Sequence, residues 1–186
     1  SEEINSAKTM KALSQFMLMC VSSNSKYDKV IRREGETFTT EEEEGYQLFK
    51  QKCSGCHTEP LFTDYSFRNN GIQPGRNDDR GRFVITLDSS DSYKFKVPTL
   101  RNIEVTAPYM HDGRFYGLGQ VLDHYRFGVQ HTSNLDPLLD QNHSHGIPLT
   151  DDEKTKIIIF LKTLTDREFL KNPLLSEQEG LLIYDK

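Results

Sequence analysis

Cys53-Ser54-Gly55-Cys56-His57 is the most informative stretch of this 186-residue sequence. In a C-x-x-C-H motif the two thiols lie one helical turn apart, so they can form thioether bonds to the two vinyl groups of a haem. The adjacent histidine is then placed to ligate the iron. The motif therefore predicts one covalently bound haem c, attached through Cys53 and Cys56 and ligated by His57.

Three other interpretations of this motif compete with haem. A structural zinc site needs four ligands, usually as two pairs, and the sequence has no second cysteine pair. A thioredoxin-like redox pair would follow an apolar strand, whereas this pair follows a charged amphipathic helix. A chance occurrence is the third interpretation, because the motif is short. The spacing and the context favour haem.

A haem with one histidine ligand needs a second axial ligand, and the sequence offers Met110. This methionine lies in an irregular segment bounded by Pro108 and Gly113 rather than on an apolar helix face, which argues against a role as core filler. A thioether favours ferrous iron, so histidine and methionine together raise the reduction potential and leave no open coordination position. This pair of ligands predicts an electron-transfer site. His111, in the same segment, is the rival ligand.

Apolar residues at spacings of three and four predict four helices and a mainly α-helical fold. The helices are expected from Ile4 to Val21, from Thr39 or Thr40 through Tyr46, Phe49, Cys53 and Cys56, from Gly117 to Phe127, and from Thr150 to about Thr165. The second and fourth helices begin with a threonine cap and a glutamate that can close a capping box, Glu42 or Glu43 in one and Glu153 in the other. The expected fold is a cytochrome c-type helical domain around one covalent haem.

The first helix carries an apolar face rich in methionine. Because methionine most often fills cores, we expect this face to be buried and Cys20 to be a buried, unreactive thiol. Counting the 12 glycines with the 35% hydrophobic residues gives about 41%, below the roughly 45–50% of an ordinary domain. This shortfall predicts that a cofactor completes the core, or that some apolar residues, including parts of the first helix, face a partner.

Regular periodicity is lost between Thr58 and Val97. A segment of this length without its own elements is usually functional or wrapped around something. One short strand is expected at Arg82–Leu87, and the fold as a whole has at most a short β-hairpin. We expect residues 1–38 to form a helix and arm that pack on the haem domain, residues 39–170 to form that domain, and residues 171–186 to form a tail.

The remaining candidate residues surround the haem motifs. Basic side chains at Arg82, Lys94, Lys96 and Arg101 are available to pair with the two haem propionates. The candidate haem contacts are Phe49, Arg82, Pro98, Leu100 and Arg101. Among the histidines, His124 is expected to be packed or capping, and His131, His143 and His145 lie in polar loops where adventitious metal binding is the weaker interpretation.

Charge and hydropathy exclude several classes of protein. The net charge of −5 argues against nucleic acid as a partner, because neutralising phosphates needs a clustered excess of basic residues. No window approaches about 18 consecutive apolar residues, so no transmembrane segment is expected. The sequence begins without the basic and apolar regions of a secretory signal, which we expect to have been removed or to lie on a longer precursor.

These residues resemble the C-terminal haem domain of bacterial di-haem cytochrome c peroxidases, the family that also contains the MauG-type enzymes. The resemblance runs in order over about residues 8 to 166. Its landmarks are Phe16, Ser25-Lys26-Tyr27-Asp28, Gly45-Tyr46-Gln47-Leu48-Phe49 before the C-x-x-C-H motif, Gly81-Arg82-Phe83, Phe95-Lys96-Val97-Pro98-Thr99-Leu100-Arg101-Asn102, Ala107-Pro108-Tyr109-Met110-His111-Asp112-Gly113-Arg114-Phe115, His124-Tyr125 and Phe160-Leu161-Lys162-Thr163-Leu164-Thr165.

The resemblance implies a periplasmic or exported oxidoreductase domain with a low-spin, high-potential haem. Such a domain takes electrons from a small donor protein, a cytochrome or a copper protein, and passes them to a peroxidatic haem that reduces hydrogen peroxide to water. It also implies Cys53 and Cys56 as attachments, His57 as proximal ligand and Met110 as distal ligand, where MauG enzymes have tyrosine. Calcium between the domains and a homodimer are further family expectations, with calcium ligands that this sequence does not place.

The sequence departs from the family in having a single C-x-x-C-H motif. The N-terminal peroxidatic haem domain is expected to be missing, so little peroxidase activity is expected of this chain alone. A free-standing mono-haem electron carrier is the first alternative function. A structural zinc module is the second.

Overall fold

The computed structural model describes residues 4–141 and 144–176, and its described part is mainly helical, as predicted. The helices are α1 (Ser6–Met19), α2 (Lys26–Ile31), α3 (Thr40–Lys52), α4 (Phe83–Thr86), α5 (Leu118–Asp123), α6 (Asp151–Lys162) and α7 (Arg167–Leu170). The strands are β1 (Phe67–Arg68), β2 (Phe95–Lys96), β3 (Asp140–Gln141) and β4 (Ser144–His145). None of the described helices combines the length and the apolar character that crossing a membrane requires.

The β structure exceeds the single short hairpin that was predicted. β3 and β4 form that hairpin, and β1 and β2 form a second antiparallel pair, with Phe67 opposite Lys96 and Arg68 opposite Phe95. The second pair was not predicted because two-residue strands that are distant in sequence leave no periodic pattern. This pair joins two parts of the irregular segment between Thr58 and Val97.

The predicted capping boxes of α3 and α6 are confirmed. The Thr39 hydroxyl accepts from the Glu42 amide while the Glu42 carboxylate accepts from the Thr39 amide, and Thr150 and Glu153 repeat the arrangement at α6. Each cap satisfies amide groups that have no partner inside the helix. Both helices therefore begin where the sequence predicts.

The main core lies where α3 packs against α6. Gly45 permits the close approach of the two helices, because a Cβ at this position would lie 2.1 Å from the Lys156 carbonyl oxygen. The core residues around this contact are Tyr27, Phe49, Phe62, Leu122, Leu149, Ile157, Phe160, Leu161 and Leu164. Four of them are aromatic, and their rings contact one another mainly edge to face or at tilted angles, geometries that aromatic pairs favour.

The landmark Ser25-Lys26-Tyr27-Asp28 begins α2, which is too short for apolar periodicity to indicate it. Ser25 and Asp28 form its capping box. The Asp28 carboxylate also accepts from both Nη atoms of Arg101, at 2.9 Å each, in a pair that is almost fully buried. Burial alone would raise the pKa of Asp28, but hydrogen bonds from Arg101 and Ser25 hold it below its ordinary value.

Replacing Arg101 by methionine is expected to destabilise the chain by about 3–5 kcal/mol, because it leaves the Asp28 carboxylate buried without its partner. The free energy of unfolding from urea titrations measures the loss. Arg32→Met, which breaks an exposed pair with Glu34, is the matched control and should change little. The pKa of Asp28 is lower in the folded state than in the unfolded state. The stabilisation by the Arg101–Asp28 pair is therefore complete at pH values above the ordinary pKa of aspartate, and it is lost as the pH falls through the folded-state pKa. A wild-type advantage that is unchanged down to about pH 2 would contradict this assignment.

The prediction that the first helix is buried is wrong. α1 forms close to where it was expected, but none of its residues is buried, and Met10 and Met17 are 63% and 70% exposed. Cys20, predicted to be buried, is also exposed. Periodicity identifies an apolar face but does not say what covers it, and no described residue covers this one.

The strand predicted at Arg82–Leu87 is also wrong, since residues 83–86 form the single turn α4. Their β-branched and aromatic side chains favour a strand, but the described residues offer them no partner strand. Leu87 ends the turn in the left-handed region with φ 56°. Val84 and Ile85 remain 61% and 85% exposed.

The third predicted helix is confirmed, with a change of geometry at its end. α5 continues from Asp123 into a π-helical turn, His124–Gly128, that ends one residue beyond the predicted Phe127. π-turns of this kind are frequent at functional sites. This turn carries His124 and Tyr125 toward the C-x-x-C-H motif.

Candidate haem site

The C-x-x-C-H motif forms the turn that directly follows α3. The Cys53 amide donates to the Phe49 carbonyl at 2.8 Å, and the amides of Cys56 and His57 donate back to the Cys53 carbonyl at 3.2 and 3.0 Å. The predicted continuation of the helix through Cys56 is therefore replaced by a tight turn. Cys53 and Cys56 are unpaired thiols rather than a disulfide.

Both thiols lie in surroundings that keep them protonated. Burial raises the pKa of Cys53 to about 12, and burial also raises the pKa of Cys56. Redox-active and metal-binding cysteines depend on the thiolate, which an apolar site disfavours. Within the described residues, the cysteines also belong to no group of three or more side chains spaced to hold a metal ion. The raised pKa values weigh against the thioredoxin-like interpretation, and the lack of such a group among the described residues weighs against the zinc interpretation.

His57 is oriented as an iron ligand requires. Its Nδ1 lies 3.0 Å from the Phe62 carbonyl oxygen, and since a carbonyl can only accept, Nδ1 carries the proton and Nε2 presents a lone pair. Burial lowers the pKa of His57, against smaller opposing effects of the Phe62 and Pro98 carbonyls. The ring is thereby kept neutral, the form that binds metals.

The segment around Met110 is fixed by its neighbours. The buried Tyr109 donates its hydroxyl to the Ile103 carbonyl at 2.7 Å and its amide to the Phe115 carbonyl at 2.7 Å. Met110 itself has φ 70°, in the left-handed region that side chains other than glycine rarely occupy. A strained backbone conformation of this kind persists only where contacts with the surrounding structure hold it in place. Such conformations are concentrated at functional sites.

Asn70 joins the Met110 segment to the C-x-x-C-H side of the molecule. Its Nδ2 lies 3.6 Å from the Met110 sulfur, and its carbonyl accepts from His124 Nε2 at 3.0 Å. Its side chain also hydrogen-bonds to Tyr125, which lies near Cys56 and Cys53 and whose pKa is raised by burial. Asn70 thus contacts both the Met110 side chain and the turn that carries His124 and Tyr125, while the ligand roles of Met110 and His57 remain predictions. Sequence reasoning missed Asn70, and its only signal was a place beside the turn glycine Gly71.

The other predicted contacts are distributed around this centre and remain predictions. Phe49 is fully buried beside Phe62, and Leu100 packs against the same core. Pro98 is exposed. The structure gives the two arginines protein partners: Arg101 contacts Asp28 and the Pro60 carbonyl, and Arg82 contacts Asp91.

The remaining histidines have separate environments. His111, the rival ligand, stacks flat on Phe95, with ring centroids 3.8 Å apart. The sulfur of the neighbouring Met110 instead lies near the side-chain amide of Asn70. His124 is buried and hydrogen-bonded, as predicted. His131 and His145 lie together at the surface, and His143 falls outside the described residues.

The donor set of this chain fits a c-type haem. Two protonated, unpaired thiols supply the atoms for thioether attachment, a neutral imidazole presents Nε2, and a thioether is held in a fixed segment. Histidine with methionine is an established ligand pair for c-type haem iron.

Comparison with known proteins supports this interpretation. Cytochrome c551 peroxidase of Nitrosomonas europaea is 34% identical over 94% of this chain, and MauG of Methylorubrum extorquens is 30% identical over 88%. A crystal structure of a MauG-like protein associated with microbial copper homeostasis superimposes with a TM-score of 0.79 at 32% identity, over 94% of this chain and 61% of its own. The chain is a homologue of the di-haem cytochrome c peroxidases and MauG proteins.

The homology is partial in length. The chain spans about half of the curated relatives that it matches, 49% of the Nitrosomonas peroxidase and 45% of the Methylorubrum MauG. The di-haem peroxidase BthA of Burkholderia thailandensis shares the fold, with a TM-score of 0.64 at 19% identity. No family model matches the chain.

Proposed function

We propose that this chain carries one covalent haem c and serves as the electron-transfer domain of a di-haem peroxidase. The observation that carries the proposal is His57, which directly follows the Cys53–Cys56 pair in the sequence and whose Nδ1 is engaged by the Phe62 carbonyl. When bound, the haem supplies a reversible one-electron iron couple.

The residues of the chain would tune that couple. The Phe62 carbonyl orients the ring of His57, burial keeps that ring neutral, and the Met110 sulfur would favour the ferrous state. Asn70 directs an amide N–H toward the same sulfur, which orients it and draws electron density from it. If His57 and Met110 both hold the iron, peroxide would find no coordination position in this domain. We therefore assign peroxide reduction to a second haem domain, and a periplasmic location remains an expectation from the family resemblance.

The purified chain is expected to contain one haem that stays attached after acid–acetone extraction, with a low-spin spectrum and little peroxidase activity. Replacing Cys53 and Cys56 by serine should leave any haem extractable, because no thioether can then form. The spectrum and a haem count per chain measure this. A colourless protein containing stoichiometric zinc would support the zinc module instead, and peroxide turnover equal to that of intact two-haem enzymes would contradict the assigned role.

Replacing Asn70 by leucine is expected to keep one haem per chain but to weaken the methionine ligand, because leucine has similar volume and no amide N–H. The expected readouts are a shifted reduction potential and weakened far-red absorption from sulfur–iron ligation. Asn134→Leu is the control, since it removes another amide that bonds backbone carbonyls away from Met110. A potential that is equal in the Asn70 variant and the wild type would show that this contact does not act on the iron.

A free-standing mono-haem carrier is the alternative function, favoured by the single C-x-x-C-H in these 186 residues. The two proposals differ in what the gene encodes upstream of Ser1. A second C-x-x-C-H in the same reading frame supports the peroxidase, and a start codon with a signal sequence alone supports the carrier.

The proposed role requires contacts with other proteins. The exposed apolar face of α1 is available to the second haem domain, or to another copy in a homodimer. The net charge of −5 favours a small cytochrome or copper protein with a basic face as electron donor. Electron-donation rates that do not change with salt would count against that donor. Calcium between the domains remains an expectation from the family resemblance.

A further inference from the structure

Two histidines and an aspartate converge at the surface, outside the haem site. His145 Nδ1 lies 3.0 Å from one oxygen of Asp140, and His131 Nε2 lies 4.0 Å from the other. One ligand atom from each residue lies within 4.8 Å of the other two. At 4.0 Å His131 is beyond hydrogen-bond range of the carboxylate that it faces, so this carboxylate does not account for the position of its ring.

The backbone holds all three residues close to buried anchors. Asp140 and His145 are directly opposite each other in the β3–β4 register. The hairpin is tied at its base, where the Gly146 amide donates to the Leu139 carbonyl at 2.7 Å, and Leu139 is buried in a small apolar cluster with Val129 and Leu135. Val129 lies two residues before His131. The ligand positions are thus fixed by packing, while the side chains themselves retain freedom to adjust.

We propose that His131, Asp140 and His145 bind a divalent first-row transition metal ion. Two imidazoles and one carboxylate suit Zn²⁺ and Cu²⁺, whereas Ca²⁺ and Mg²⁺ prefer sets made of oxygen ligands. The Irving–Williams order places Cu²⁺ above Zn²⁺ in affinity. Three protein ligands leave a fourth position for water or an external ligand.

The arrangement needs only side-chain adjustment to close on an ion. Tetrahedral bonds of zinc to nitrogen and oxygen separate neighbouring ligand atoms by about 3.3 Å, so the longest of the present separations, at most 4.8 Å, contracts by up to about 1.5 Å. The side chains of His131 and Asp140 are 61% and 39% exposed, so rotation of these groups meets little resistance.

The site is adjacent to an element that touches the haem motif. Leu138, two residues before Asp140, packs on the C-x-x-C-H turn, where its Cδ1 lies 2.9 Å from the position of a Cβ on Gly55. On the other side, the Ile147 amide donates to the Tyr125 carbonyl at 2.6 Å. An ion here would brace the hairpin between these two contacts.

Equilibrium dialysis of the full chain against Zn²⁺, with zinc measured by elemental analysis, tests the site independently of the haem. A Cys20→Ser background removes the exposed thiol. We expect one zinc per chain, and binding at least about tenfold weaker in His131→Gln and in His145→Gln. Asp140→Asn should weaken binding as well, and Cu²⁺ should compete successfully with Zn²⁺.

The matched control is His143→Gln, which removes the histidine two positions before His145 in the sequence. Retention of zinc by this variant supports the site. Equal binding in the wild type and in the His131 and His145 variants overturns the proposal, as does zinc that is lost only with His143 or only with Cys53 and Cys56. Unfolding curves that coincide for all variants without metal show that differences in binding do not come from misfolding.

Discussion

Replacing Met110 by alanine is expected to convert the haem of this chain from a low-spin to a high-spin form that binds added imidazole or cyanide. The reason is that the Met110 sulfur is the soft donor held in a fixed, left-handed segment with an amide of Asn70 directed at it. Removing it opens one axial position, so the reduction potential should also fall. Visible spectra, ligand titrations and a redox titration measure the three effects.

His111→Ala is the matched control, because it removes the rival ligand from the same segment. His111 stacks on Phe95, so its loss should disturb local packing while the iron stays low-spin. If instead Met110→Ala remains low-spin and His111→Ala becomes high-spin, the histidine is the ligand. An unchanged spectrum in both variants would exclude the whole segment as the source of the second ligand.

The second large effect is expected from Gly45→Ala, which should destabilise the chain by about 3 kcal/mol or more. An alanine Cβ at Gly45 would lie 2.1 Å from the Lys156 carbonyl oxygen and 3.0 Å from Phe160 Cβ, so α3 and α6 must separate. The small gain in helix propensity from alanine does not offset this clash. A fall of roughly 6–12 °C in Tm follows for a domain of this size.

Gly119→Ala provides the opposite result in the same type of element. Gly119 lies within α5 and has no neighbouring atom within 4 Å of a Cβ, so alanine should stabilise the chain by about 0.5–1 kcal/mol. Thermal and urea unfolding of the haem-loaded variants measure both changes. A Gly45 variant as stable as the Gly119 variant would mean that the two helices do not approach this closely.

Local chemistry was the part of the structure that could be predicted. The caps at Thr39 and Thr150 are determined by residues within one helical turn, so both helices begin as expected. Gly45 also carried a signal, because an isolated glycine in a helical pattern often marks a close approach. What it approaches, the backbone of α6 at Lys156, lies too far along the sequence for any local pattern to show.

The predictions that failed depended on contacts between distant segments. The apolar periodicity of α1 is genuine, but whether Met10 and Met17 are buried depends on a covering surface that the sequence pattern does not contain. The strand at Arg82–Leu87 needed a partner, and without one a single helical turn formed. Asn70 was missed for the same reason, since its role arises only where the chain brings it beside Met110 and Tyr125.

The hydrogen bond between His57 and the Phe62 carbonyl fixes the orientation of the imidazole before any cofactor binds. Phe62 is fully buried in the aromatic core, so the imidazole is oriented by contacts that belong to the protein alone. The rotational entropy of the imidazole is therefore lost when the core folds, and little would remain to be lost if His57 binds the iron of the proposed haem. In this preorganised arrangement, loosening the core beneath Phe62 should weaken the iron–histidine bond without altering either bonded atom.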